Sequence, residues 1–170
     1  MTAFIALLRA VNVGGTGKLP MADLKSVCER AGLAKVRTYI ASGNVVFESK
    51  SSEAKVKAAL ESRLAAYAGK PVGVVVRTAA EMAAVLAANP FPEAPPNRAV
   101  AIFLDRPPPG DALEAMTGQK GEEVRLGVRE IYVHYPDGMA DTKLKIACAK
   151  AGTARNINTV AKLAAMALEL

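Results

Sequence analysis

The chain is poor in the residue types on which most metal, redox and hydrolytic sites are built. Its 170 residues include one His, two Cys and no Trp, and aromatics make up 5%. A single His with no CxxC pair leaves no metal-ligand spacing, so no metal and no cofactor are expected. Two cysteines cannot staple a chain of this length, which excludes a disulfide scaffold. Cys28 and Cys148 fall in predicted helices as small apolar positions, the setting of buried, reduced, structural thiols. Long apolar runs are missing too: no window reaches the roughly 18 residues of a membrane-spanning helix. The opening MTAFIALLRAVNVGG has no basic segment before its apolar stretch and no small-residue cleavage site after it. No membrane partner is expected, and the reading is cytoplasmic.

What is present is a folding chain. Its hydrophobic fraction is 51%, enough to offset chain ordering and to exclude a disordered or collagenous protein. Lys and Arg number 22 against 16 Asp and Glu, a net charge of +6. That balance favours phosphates, nucleic acid or acidic partners, although alone it governs encounter rather than fold.

Punctuation along the chain gives an element order. Residues 3 to 8 form an apolar strand that runs into a glycine-bearing loop, Asn12 to Lys18. Pro20 suits the first turn of a helix carrying Leu24, Val27, Cys28 and Ala31, which Gly32 ends. Val36 to Ala41 and Asn44 to Ser49 predict a hairpin turning at Ser-Gly. Ser52 opens a helix with Val56, Leu60, Leu64 and Tyr67 on one face, ending at Gly69, and PVGVVVR follows as a buried strand. This β, α, β, β, α, β order is the split βαβ arrangement of a ferredoxin-like unit. Residues 79 to 88 predict an Ala-rich helix, and NPFPEAPPNR, with four prolines in ten residues, a linker.

The order then repeats. AVAIFLD predicts a strand, GDALEAMTG a short helix, and EEVRLGV with EIYVHY a second hairpin near Val128 and Arg129. The last block, TARNINTVAKLAAMALEL, has Ile157, Val160, Ala161, Ala164 and Leu168 at helical spacing, so the second half ends in a helix and is one strand short. The expected fold is therefore α+β: two ferredoxin-like halves, residues 1–88 and 99–170, joined by the Pro-rich linker 89–98, with elements that the halves could share or exchange.

Topology gives the polar residues a meaning. The first and third strands of such a sheet are antiparallel neighbours, so Arg9 and Asn12 approach Ser42, Gly43 and Asn44. The first helix starts at the same end, where its unpaired N–H groups carry partial positive charge. With Gly14, Gly15 and Lys18 in the connecting loop, the place suits an anion. The dipole adds only about 0.3–1 kcal/mol at an exposed site, so Arg9 and Lys18 must supply most of the attraction. The loop is not a Walker A motif, because Asn12 and Leu19 stand where that motif needs a Gly and a Ser or Thr. The plainer reading is that its glycines permit positive φ and that Ser42, Gly43 and Asn44 simply turn the hairpin; that leaves Arg9 unexplained.

A second polar cluster, Thr153, Arg155, Asn156, Asn158 and Thr159, opens the predicted last helix. Thr153 can cap it, but a cation in the first turn opposes the dipole, so Arg155 is either solvated or paired with an anion. His134 shares a strand face with Tyr132 and has no partners for a triad. An RNA-binding sheet would stack bases on strand aromatics; here the corresponding strands offer only Phe4 and Phe47. Binding to a nucleic-acid backbone through Arg9, Lys18, Lys143, Lys145, Lys150 and Arg155 stays open.

The blocks LLRAVNVGG, KLPMADL, VRTYIASGNVVFES and TARNINTVAKL, spread over nearly the whole chain, resemble the bacterial domain-of-unknown-function family 1697. The resemblance implies an α+β fold of two ferredoxin-like halves and names no activity or substrate. The family's characteristic polar positions correspond to Arg9, Asn12, Gly14, Gly15, Ser42, Gly43, Asn44, Arg155 and Asn156. One departure is Ile157, where the family usually has Trp; if that Trp stacked on a ligand the contact is lost, and if it filled core the change is mild.

The function expected is binding of a phosphate-bearing small molecule or nucleic-acid backbone through these residues and Lys18. Two other classes remain: a metal-independent enzyme using Lys18, Tyr39 or Arg155, and an interaction module pairing its Ala-rich helices with another chain.

Overall fold

A computed structural model describes residues 1–9 and 19–170. The glycine-rich loop, and with it Asn12, Gly14, Gly15 and Lys18, lies outside the described residues. Two compact units are present, Met1–Met82 with Leu163–Leu170, and Ala83–Lys162.

The first unit has the order β1 (Thr2–Leu8), α1 (Met21–Arg30), β2 (Ala34–Tyr39), β3 (Asn44–Ser49), α2 (Glu53–Ala68) and β4 (Val74–Thr78); α3 (Ala79–Ala87) follows and divides between the two units. Its antiparallel sheet is ordered β2-β3-β1-β4, the ferredoxin-like arrangement. Local chemistry sets the helix limits. Ser52 caps α2 by accepting a hydrogen bond from the Lys55 amide at 3.3 Å, and Gly69 ends it in the left-handed conformation at φ +71°. Pro20 is the N-cap of α1 rather than a residue of its first turn; its extended backbone, φ −60° and ψ 142°, lets its carbonyl take the first helical bonds.

One face of this sheet carries Phe4, Ala6, Leu8, Val45, Phe47, Val74 and Val76, in one core with Leu24 and Cys28 of α1 and Val56, Leu60 and Leu64 of α2. The opposite face, Ile5, Leu7, Asn44, Val46, Val75 and Arg77, is equally buried. Burial on both sides is why FIALL and VVV read as unbroken apolar runs.

The second unit repeats the plan with β5 (Ala99–Phe103), α4 (Ala112–Ala115), β6 (Glu123–Leu126), β7 (Glu130–His134), a 3-10 turn (Ala147–Ala151) and β8 (Thr153–Asn156). Its order is β6-β7-β5-β8, the same as the first. The strand that the sequence left out is β8. Thr153 does not cap a helix; Thr153 to Asn156 pair with Phe103 to Val100 of β5, and α5 (Ile157–Leu168) starts only afterwards. The cap is Asn156, whose Oδ1 accepts from the Thr159 amide at 3.0 Å. The buried arc of α5 runs through Ile157, Val160, Leu163, Ala164 and Ala167, while Leu168, at its edge and in the last position, is 75% exposed. From Leu163 on, the residues of this helix belong to the first unit, so the final helix divides between the two. Cys148 lies in the 3-10 turn, half-buried, rather than in a regular helix.

Among the described residues, no helix is long and apolar enough to cross a membrane.

Candidate functional site

Two backbone hydrogen bonds fix the end of β1. The Leu8 amide donates to the Gly43 carbonyl at 2.9 Å, and the Arg9 amide donates to the Gly73 carbonyl, also at 2.9 Å. The start of β3 therefore flanks Arg9 on one side and the start of β4 on the other. Arg9 is half-buried.

The structure thus brings together Arg9, Ser42, Gly43 and Asn44, but it gives the last three a shared structural task. Asn44 is fully buried, opposite Leu7. Its Nδ2 donates to the Tyr39 carbonyl at 2.8 Å and to Ser42 Oγ at 2.9 Å, so one amide braces both arms of the β2–β3 connection. Gly43 has φ +88°, which only glycine adopts without strain. The same connection holds Ile40 at φ +51°, a rare conformation for a β-branched residue, with its side chain 48% exposed.

The start of α1 contributes less to an anion than its dipole suggests. Pro20 offers no capping side chain, but Asp23 already places a carboxylate in the first turn, where the Tyr67 hydroxyl donates to it.

Sequence reasoning passed over Gly73. A Cβ at this position would lie 3.0 Å from Arg9 Cδ, 3.5 Å from Cγ and 3.6 Å from Cβ. The signal was available: a glycine inside the strand-like run PVGVVVR marks a close approach.

Arg155 and Asn156 belong to the second unit. Arg155 is not solvated: it is 8% exposed, and burial pushes its guanidinium down to about 10, leaving it protonated at neutral pH. On β8 it pairs with Ala101, whose other partner across the sheet is Tyr132. Its Nη1 donates to Thr153 Oγ1 at 2.7 Å and to the Ala154 carbonyl at 2.9 Å. Arg77 of the first unit also lies on the fourth strand and donates to the preceding carbonyl, of Val76, at 3.0 Å. A buried arginine is thus a repeated feature of the plan. Ile157 is buried, which fits the core-filling role of that position.

Several other chemistries lose their footing. Phe4 and Phe47 are stacked at 5.9 Å inside the helix-side core, so neither can receive a base. Burial and neighbouring Glu29 push the Cys28 thiol up to about 12, which leaves it inert. His134 packs against Phe91 at 5.6 Å between ring centres, with Glu123 3.8 Å from Nδ1. Burial and Glu130 push the Tyr132 phenol up to about 12, and its hydroxyl donates to the Val85 carbonyl at 2.9 Å. A pocket of about 480 Å³ in the second unit, between Gly118–Glu122 and Asp137–Lys143, contains a buried carboxylate, Glu122. That carboxylate is already taken: Thr142 Oγ1 donates to it at 2.6 Å and the Lys120 amide also donates, and these bonds hold it below the usual carboxylate range.

The fold has a solved counterpart. A conserved bacterial protein from Streptococcus pneumoniae, SP0830, matches with a TM-score of 0.81 and 26% identity, over 98% of each chain. No curated protein matches in sequence. A family model covers residues 1–132, which takes in the first three of the four recognised blocks and leaves the Thr153 block beyond its end. The chain belongs to the family DUF1697, proteins of unknown function.

Proposed function

We propose that the protein binds a phosphate-bearing small molecule at the end of β1, with Arg9 as its principal cation. The observation that carries this reading is the seating of half-buried Arg9 at the end of β1, its own amide bonded to the Gly73 carbonyl and the amide of preceding Leu8 bonded to the Gly43 carbonyl. A guanidinium stays charged at any physiological pH and offers a planar fork of donors that matches phosphate oxygens in pairs. Partial burial shields that interaction from salt and so strengthens it relative to a surface lysine. The net charge of +6 favours encounter with such ligands. Asn12 and Lys18, which follow in the chain, are the further candidates for contact.

A small molecule is preferred to a nucleic-acid backbone because Phe4 and Phe47, the aromatics of β1 and β3, are enclosed in core. Without them the sheet lacks the stacking surface on which single strands are held. A cytoplasmic location, where phosphorylated metabolites abound, fits this reading. A thermal-shift panel of nucleotides, sugar phosphates and pyrophosphate tests it: at least one should raise the melting temperature of wild type and leave Arg9→Ala unmoved.

A further inference from the structure

We propose that Gly73 is the positioning residue of this site, and that it turns the Arg9 guanidinium towards β4 and away from the Ser42–Asn44 turn; the inference rests on the reading of Arg9 just given. The backbone does not demand glycine at position 73, since its φ is not among the positive ones. Nor is glycine welcome there: it lies directly before the strand Val74–Thr78, where a side chain would pack better than none. The three heavy atoms nearest to a Cβ at this position all belong to Arg9. They come closer in order from Cβ at 3.6 Å through Cγ at 3.5 Å to Cδ at 3.0 Å, so the stem of Arg9 runs across the bare face of Gly73 as it leaves its own strand.

That path has a consequence for where a ligand sits. The Arg9 stem brings its Cδ over Gly73, on the β4 flank, while Asn44 on the β3 flank donates to Ser42 Oγ and to the Tyr39 carbonyl. The phosphate therefore lies on the β4 side, with Gly73 acting only through Arg9. An added methyl group is met at 3.0 Å by a flexible methylene that yields by a few tenths of an ångström. A branched side chain fills the path and sends the arginine elsewhere.

The test is calorimetric titration of pyrophosphate into the full chain as wild type, Arg9→Ala, Gly73→Ala, Gly73→Val and Ser42→Ala, with the Arg9 Nε–H signal followed by NMR in each. Gly73→Val should weaken binding about tenfold or more, the loss expected when a charge-assisted hydrogen bond goes, and shift the Arg9 signal without ligand. Gly73→Ala should bind within about threefold of wild type, since the Arg9 stem yields to one methyl group but not to a branched side chain, a grading by side-chain size that the Arg9 signal should follow. Ser42→Ala should bind as wild type. If Arg9→Ala loses binding while Gly73→Val keeps it and leaves the Arg9 signal in place, the positioning role is overturned and the anion site stands. If Arg9→Ala binds as wild type does, the site itself is overturned. Should Gly73→Val not fold, Gly73→Ala decides: an Arg9 signal unmoved by the methyl group contradicts the packing argument.

Discussion

Arg9 and Gly73 stand opposite each other across the antiparallel pairing of β1 and β4, the amide of the first donating to the carbonyl of the second at 2.9 Å. On the other flank, the Leu8 amide bonds to Gly43 at the same distance. Two glycines therefore flank the end of β1, Gly43 beside Leu8 and Gly73 beside Arg9, for different reasons, and the difference can be measured.

Gly43 is needed by the backbone and Gly73 is not. Gly43, at φ +88°, should destabilise the protein by about 1–2 kcal/mol when changed to Ala, because a Cβ is strained in that region. Gly73→Ala should leave the unliganded stability within about 0.5 kcal/mol of wild type. Urea denaturation of the two variants gives the comparison; equal losses would show that Gly73 has a backbone role.

Asn44 is a brace, and its removal should be read in stability. Asn44→Ala removes both hydrogen bonds from Nδ2 and leaves the half-buried Tyr39 carbonyl without that donor. A loss of about 1–3 kcal/mol is expected, since each of the two hydrogen bonds contributes about 0.5–1.5 kcal/mol. A loss below about 0.5 kcal/mol would mean that water replaces the amide.

Ile40 stores strain at the same connection. Its φ of +51° suits Asn far better than a β-branched residue, and with the side chain 48% exposed little burial is forfeited. Ile40→Asn should stabilise the protein by about 1 kcal/mol, seen as a higher melting temperature. A lower one would show that Ile40 contributes packing worth more than its strain.

Cys28 should ionise only on unfolding. Its thiol is raised from 9.0 to about 12 by burial and Glu29, so at pH 8 a thiol reagent should label half-buried Cys148 and reach Cys28 only after denaturant is added. The shift also fixes a sign. Between pH 9 and about 12 the unfolded thiol gives up a proton that the folded one retains, so the unfolded state binds fewer protons and stability falls as pH rises. Relative to Cys28→Ala, wild type should lose up to about 1.4 kcal/mol per pH unit across that window and show no difference in slope below it. Parallel curves for the two proteins would contradict the shift.

Much of the fold was legible because its signals are local. The runs FIALL, VVFES and AVAIF are apolar enough to be strands buried on both faces, and Ser52 with Gly69 bracket α2 as a cap and a left-handed stop. β8 was not legible. TARN carries no apolar run, and its polar residues mimic a helix cap until pairing with β5 reveals them as a strand. The same pairing buries Arg155, so a charge that the sequence leaves either solvated or paired with an anion is enclosed in structure. At the site, the approach of Arg9 to Ser42, Gly43 and Asn44 followed from topology alone. The internal bracing by Asn44 and the space over Gly73 depend on side-chain packing, which no spacing rule conveys.

The most direct measurement is the melting temperature of wild type and Arg9→Ala with and without pyrophosphate at about a hundredfold excess over the dissociation constant. Binding at that level stabilises by about 2.7 kcal/mol, a rise of about 5–10 °C for a chain of this size. Wild type should show that rise and Arg9→Ala should lose it. An equal rise in both proteins would contradict the role proposed for Arg9.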